Sequence, residues 1–243
     1  MTNLTTFNAD VPTPDGNMDC FIAHPDSDGP FAPVILYMDV PGIREELRDF
    51  ARRFASEGYL CVLPDLYYRN GKVRFDLSKG EAELQRMFAV GGALTNAMIV
   101  SDTQGILNYL QSMPIAQDKI GIVGHCMSGQ FVLSVAGTFP ERIKATAALY
   151  GTRMVTDKAD SPHLLLGNVQ GELYLGFAEH DPYVEDFVIP TLVDTLQEHG
   201  IDYRLEEHEG TEHGFCFPAR PGYDAQASER VWKTLFDMFE RQL

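Results

Sequence analysis

The stretch K119-I-G-I-V-G-H-C-M-S-G129 decides the fold. Its first half, residues 119–124, is a short apolar run of the kind that forms a buried strand, and residues 127–136 follow at once with helical spacing of apolar side chains. A strand, a tight turn and a helix within so few residues leave Cys126 on the turn itself. Small residues stand two before it (Gly124), two after it (Ser128) and three after it (Gly129). A strand end and a helix start that converge on one turn leave no room for larger neighbours. The spacing therefore has a steric cause and reads as a nucleophile elbow.

Working outward, residues 18–24, 33–40, 59–63, 143–150, 172–177 and 202–208 read as further strands, alternating or continuously apolar and bounded by Pro, Gly or charged residues. Helical periodicity is expected over 44–57, stopped by Gly58, and over 79–113, interrupted at Gly91-Gly92 and closed by Pro114. Two more helices are expected over 183–199 and 225–239. Strands alternating with helices imply a mostly parallel central sheet with helices on both faces, because parallel strands need long crossovers. The expectation is an α/β-hydrolase fold in a single domain, residues 1–243.

Thirty-five acidic against nineteen basic side chains give a formal charge of -16, which repels polyanions and argues against nucleic acid as a partner. No stretch approaches the ~18 apolar residues that span a bilayer, so no membrane association is expected. The first fifteen residues lack the basic cluster and apolar run of a secretory signal. Cys20, Cys61, Cys126 and Cys216 show no paired short spacing, so neither a CxxC redox motif nor a zinc knuckle is present, and a reduced cytoplasm fits.

In a doubly wound sheet, reactive residues gather just after the strands at one edge. Asp181, in A-E-H-D-P, follows the strand at 172–177, and His213, in G-T-E-H-G-F, follows the strand at 202–208. Nucleophile, acid, histidine is the chain order in which this fold carries its triads. Cys126 is then the nucleophile, His213 the base and Asp181 the carboxylate that fixes the histidine's tautomer. Glu179 and Asp186 stand close enough in sequence to compete for the acid's place. A helix starting near Met127 would aim its N–H groups at the sulfur, favouring a thiolate and an adjoining oxyanion. Met127 N–H is the first expected oxyanion donor. The second should come from the loop after residues 33–40, where Pro41 has no N–H; Val40 is the choice and Gly42 the reserve.

The sequence resembles the dienelactone hydrolase family through V34-I-L-Y-M-D-V-P-G42, E57-G-Y-L-C-V-L-P-D-L-Y-Y-R69, G124-H-C-M-S-G129, H180-D-P182 and E212-H-G-F215, in that order and over nearly the whole chain. The resemblance implies a hydrolase of small-molecule esters or lactones that works through an acyl thioester without a cofactor. It implies that Asp39 matches a glutamate that contacts the resting thiol in family members. It also implies a carboxylate-binding arginine four residues beyond the histidine, where this chain has Phe217; Arg86 is the nearest match to a second such arginine.

Other readings compete. H208-E-G-T-E-H213 superficially resembles a zincin motif, but its spacing is five rather than four and Gly210 breaks the helix it needs, so no metal is expected. His125 is expected to pack structurally rather than face the sulfur. A thiol oxidoreductase using Cys126 would require Cys216 as resolving thiol. A non-catalytic binding member of the fold would not need nucleophile, acid and base together.

Overall fold

The computed structural model describes residues 3–243, which fall into two compact units divided between Asp118 and Lys119. The first unit carries strands β1 (Leu4–Thr13), β2 (Gly16–Pro25), β3 (Pro33–Tyr37) and β4 (Leu60–Pro64), in the spatial order β1-β2-β4-β3. β1 and β2 form an antiparallel hairpin, β2 pairs antiparallel with β4, and β3 with β4 is parallel. Helix α1 (Glu45–Ser56) lies on β2 and β4 with Leu47, Phe50, Ala51, Phe54 and Ala55 buried. Helices α2 (Glu81–Gly92) and α3 (Asn96–Gln111) divide the long helical stretch. The break between them is fixed by Thr95, whose side chain accepts from Met98 N–H as an N-cap.

The second unit holds β5 (Ile120–His125), β6 (Ile143–Leu149), β7 (Glu172–His180) and β8 (Tyr203–Glu212), all parallel and adjacent in chain order. β5 is buried along its whole length, as its apolar run requires. Helix α4 (Gly129–Thr138) and helix α6 (Ala225–Gln242) cover opposite faces. A Cβ on Gly124 would run into Ser128 and Val132, while one on Gly121, an odd number of residues away, would meet Phe239 and Leu243. The observed architecture is the expected α/β fold with a mostly parallel arrangement of strands.

Three elements differ from the sequence expectation. β1 was not anticipated: only Val11 of its ten residues is buried, so no apolar alternation marks it. The helix expected from Tyr183 begins instead at Val188 as α5 (Val188–Glu198), because the Asp181 side chain takes the Tyr183 N–H and holds residues 181–187 in turns. The elbow helix begins at Gly129 after a 3₁₀ turn at Cys126–Ser128.

Gly129 shows what the elbow demands. A Cβ there would stand 2.3 Å from Gly151 Cα, a clash with backbone that no rotamer relieves. Gly129→Ala is expected to lower the unfolding free energy by about 1–3 kcal/mol, measured by urea denaturation; an unchanged midpoint would mean that the elbow and the β6 loop can separate.

Candidate active site

The elbow holds Cys126 at φ 54°, the left-handed region that a side chain other than glycine's occupies at a cost. The strain is sustained from both sides. Gly124 and Gly129 admit the close backbone passage, and Thr152 N–H, from the segment after β6, donates to Cys126 O at 3.0 Å. The thiol is nearly buried, 9% of the residue remaining exposed.

Asp181 and His213 emerge from the ends of β7 and β8 and meet. His213 Nδ1 and Asp181 Oδ2 are 2.7 Å apart, with side-chain exposures of only 7% and 3%. The other carboxylate oxygen, Oδ1, accepts Tyr183 N–H at 3.0 Å. Of the acids near this turn, Asp181 is the one bonded to the histidine. Glu179 is used differently: its Oε2 accepts Gly210 N–H at 2.6 Å and secures an irregularity in β8, where the pairing passes from Ala178↔His208 to His180↔Glu212. Gly210, at φ 72°, makes that irregularity and thereby sets where His213 emerges.

Burial alone would hold the His213 imidazolium down. The hydrogen bond with Asp181, then hydrogen bonding and charge attraction with Cys126, outweigh it and push His213 up to about 9. Nε2 is buried without a partner in ordinary hydrogen-bond geometry. The contact with the sulfur is thus looser than a finished hydrogen bond, as is common before a substrate tightens such a pair. Two tyrosines enclose the ring: Tyr150 edge-on with centroids 5.2 Å apart, and Tyr183 at 4.8 Å.

The remaining site candidates are placed as follows. Met127 lies in the 3₁₀ turn directly after the thiol. In the first unit, Val40 follows β3 and its carbonyl accepts from Tyr67 Oη at 2.7 Å. Gly42, the reserve oxyanion donor, spends its N–H on Asp39 O at 2.9 Å. Asp39 is fully buried and gripped by Arg44 through both carboxylate oxygens. Arg86 is paired with Glu83 at 2.8 Å and lies over the Phe75 ring. Phe217 presents no surface to solvent; it packs on His125 and Tyr150. His125 is buried beside those rings.

Sequence reading missed three residues. Tyr150 sits at φ 38°, a conformation that no bulky side chain advertises. Tyr183 lies in a stretch whose spacing suits a helix but stands on the turn before α5. Arg220 lays its guanidinium over the Phe217 ring, 4.9 Å from its centroid, and so close to Gly214 that a Cβ there would meet Nη1 at 2.5 Å. Only the bare Gly214 in the sequence hints at that approach. Beside Asp181 opens a cavity of about 360 Å³ whose rim carries Glu179, Glu185, Asp186 and Glu207 over Val184 and Ile189. Among the described residues no group of three or more His, Cys, Asp or Glu could hold a metal ion, and no helix is long and apolar enough to cross a membrane.

Comparison with known proteins gives a consistent picture. The family model described as the dienelactone hydrolase family matches residues 18–243. A Synechocystis protein named "Putative carboxymethylenebutenolidase" is 24% identical over 227 residues, covering 92% of this chain and 91% of that protein. Among solved structures, that of a "Putative Dienelactone Hydrolase" from Klebsiella pneumoniae superposes with a TM-score of 0.87 at 21% identity, covering 98% of this chain and 99% of its own. A dienelactone hydrolase-like promiscuous phosphotriesterase from metagenomic libraries superposes with a TM-score of 0.78 at 20% identity, covering 99% and 98%.

Replacing Asp181 by Asn removes the negative charge beside His213. The imidazolium should then titrate about 1–3 units lower than in the wild type. NMR titration of the histidine ring resonances reads this directly; an unmoved midpoint would mean that Asp181 does not hold the proton on His213.

Proposed function

The chain belongs to the dienelactone hydrolase family, and from that premise we propose that it hydrolyses carboxylic esters or lactones with Cys126 as nucleophile, His213 as base and Asp181 as the residue that orients the base. The observation that carries the reading is His213, bonded at Nδ1 to Asp181 at 2.7 Å and coupled by charge to Cys126.

The chemistry follows from the charges. The raised proton affinity of His213 favours taking the thiol proton, which leaves Sγ free to attack the carbonyl carbon. Sγ–C forms as the carbonyl π pair moves onto oxygen. Met127 N–H would hold that oxyanion. When the pair returns, the C–O bond to the alcohol breaks and His213 delivers its proton to the leaving oxygen, so that a thioester on Cys126 remains. His213 then takes a proton from water as hydroxide adds to the thioester carbon; when the oxyanion pair returns, the C–S bond breaks, the acid leaves, and the proton on His213 restores the Cys126 thiol.

Disulfide chemistry is less well supported. Cys216 is fully buried, and burial pushes its thiol up to about 12, so it is a poor resolving group.

Cys126→Ala is expected to abolish ester turnover with folding intact, and intact-mass spectrometry of the wild type during turnover should reveal an acyl adduct on Cys126. More than a few per cent of wild-type kcat in the alanine variant, or an adduct mapped to Ser128, refutes the assignment.

Substrate charge is the second question. A carboxylate brought into a dry site needs a cation beside it. Phe217 stands where the family resemblance puts one arginine, Arg86 is already paired with Glu83, and Arg69 is paired with Asp102 and Asp15. The carboxylates around Asp181 add repulsion. Neutral short-chain aryl or alkyl esters and lactones are therefore expected to show higher kcat/KM than carboxylate-bearing dienelactones. Phe217→Arg is a poor test, since it would force a charge into a closed aromatic cluster. A wild-type preference for the anionic lactone would refute this substrate reading and make Arg220→Ala the next variant to assay.

A further inference from the structure

Tyr183 is a large aromatic residue that fills no core: it is 52% exposed on the turn between β7 and α5. It nonetheless touches both members of the Asp181–His213 pair. Its backbone N–H donates to Asp181 Oδ1 at 3.0 Å, which leaves Oδ2 turned toward the histidine. Its ring meets the imidazole edge-to-face, with the planes at 68°. The pair is dry, at 3% and 7% exposure, although both residues sit in turns just past the ends of strands. Water reaching Nδ1 would compete for the hydrogen bond with Asp181, and excluding it strengthens the bond.

We infer that Tyr183 is a positioning residue for the base: its amide fixes the rotamer of Asp181, and its ring closes the outer side of the Asp181–His213 hydrogen bond to water. The inference rests on the proposed role of His213 and goes beyond it by assigning the exposed turn a task. The ring and the amide make these contacts, so phenylalanine should serve as well as tyrosine, whereas alanine keeps the amide and loses the cover.

Proton NMR of the intact protein reads the His213 Nδ1–H as a strongly downfield resonance, assigned by its loss in His213→Gln. In Tyr183→Ala this proton should exchange with water about tenfold faster than in the wild type, by opening of the cover; in Tyr183→Phe it should exchange at the wild-type rate. In ester hydrolysis, Tyr183→Ala should lower kcat by about two- to tenfold with KM unchanged. The same substitution should cost nothing further in a His213→Ala background, because its effect passes through the histidine. An unchanged exchange rate in Tyr183→Ala overturns the inference. So does an equal acceleration in Tyr183→Phe, or a wild type in which the proton is already too exchangeable to observe. The exchange measurement uses no substrate. A protein inactive on every ester would therefore refute the hydrolase reading, while the role of Tyr183 would still be decided by the resonance.

Discussion

The left-handed turn at Cys126 is the constraint on which the second unit depends. A cysteine at φ 54° is stable only where its surroundings leave no alternative. Here the alternatives are removed by backbone packed on backbone. Gly129 and Gly151 approach so closely that neither could carry a side chain without displacing the other, and the Thr152 amide fastens the segment after β6 to the Cys126 carbonyl. Neighbouring parallel strands end together at this point, so the position of Cys126 depends on strand pairing and not on its own loop. The same packing explains the local sequence: small residues are a condition of the geometry before they are a condition of any reaction.

His213 and Asp181 are held by another device. Asp181 and His213 come from two successive strands whose pairing is irregular near the edge, and Glu179 secures that irregularity by accepting the Gly210 amide. The side chains of both partners are nearly buried although they stand at strand ends. Burial opposes charge on the imidazole, and the carboxylate together with the thiol more than offsets it. The site therefore favours a proton on His213 through two neighbours, Asp181 and Cys126.

How far these features could be read in advance depended on whether local chemistry determined them. The elbow was legible because its steric demand writes glycine and serine at fixed offsets from Cys126. That Cys126, Asp181 and His213 each stand just past a strand was legible because each follows a run whose pattern reads as one. β1 was not, since a strand with one buried residue leaves no alternation. The segment after Asp181 read as helix because its composition permits one; a single side-chain hydrogen bond to the Tyr183 amide settled it otherwise. The burial of Phe217 and the guanidinium laid over it depend on neighbours distant in sequence, which no local pattern encodes. The resemblance to a family supplied the reaction class and the place to look for departures from it.

Helix α6 lies beyond all three of these residues in the chain and is fastened deep in the unit. Its Phe239 and the adjoining Leu243 press against the bare Cα of Gly121 in β5, while Arg241 and Gln242 bind the Glu172 carboxylate at the start of β7. The strand that leads to Cys126 and the strand that leads to Asp181 thus share a support, and that support follows both of them in the chain. During translation Cys126, Asp181 and His213 emerge first, on strands that still lack one face of their cover. Domains fold as units as the chain is made, so completion of the unit waits for the ribosome to release α6. Assembly of the turn that holds Cys126 is timed by a helix far beyond it in the chain.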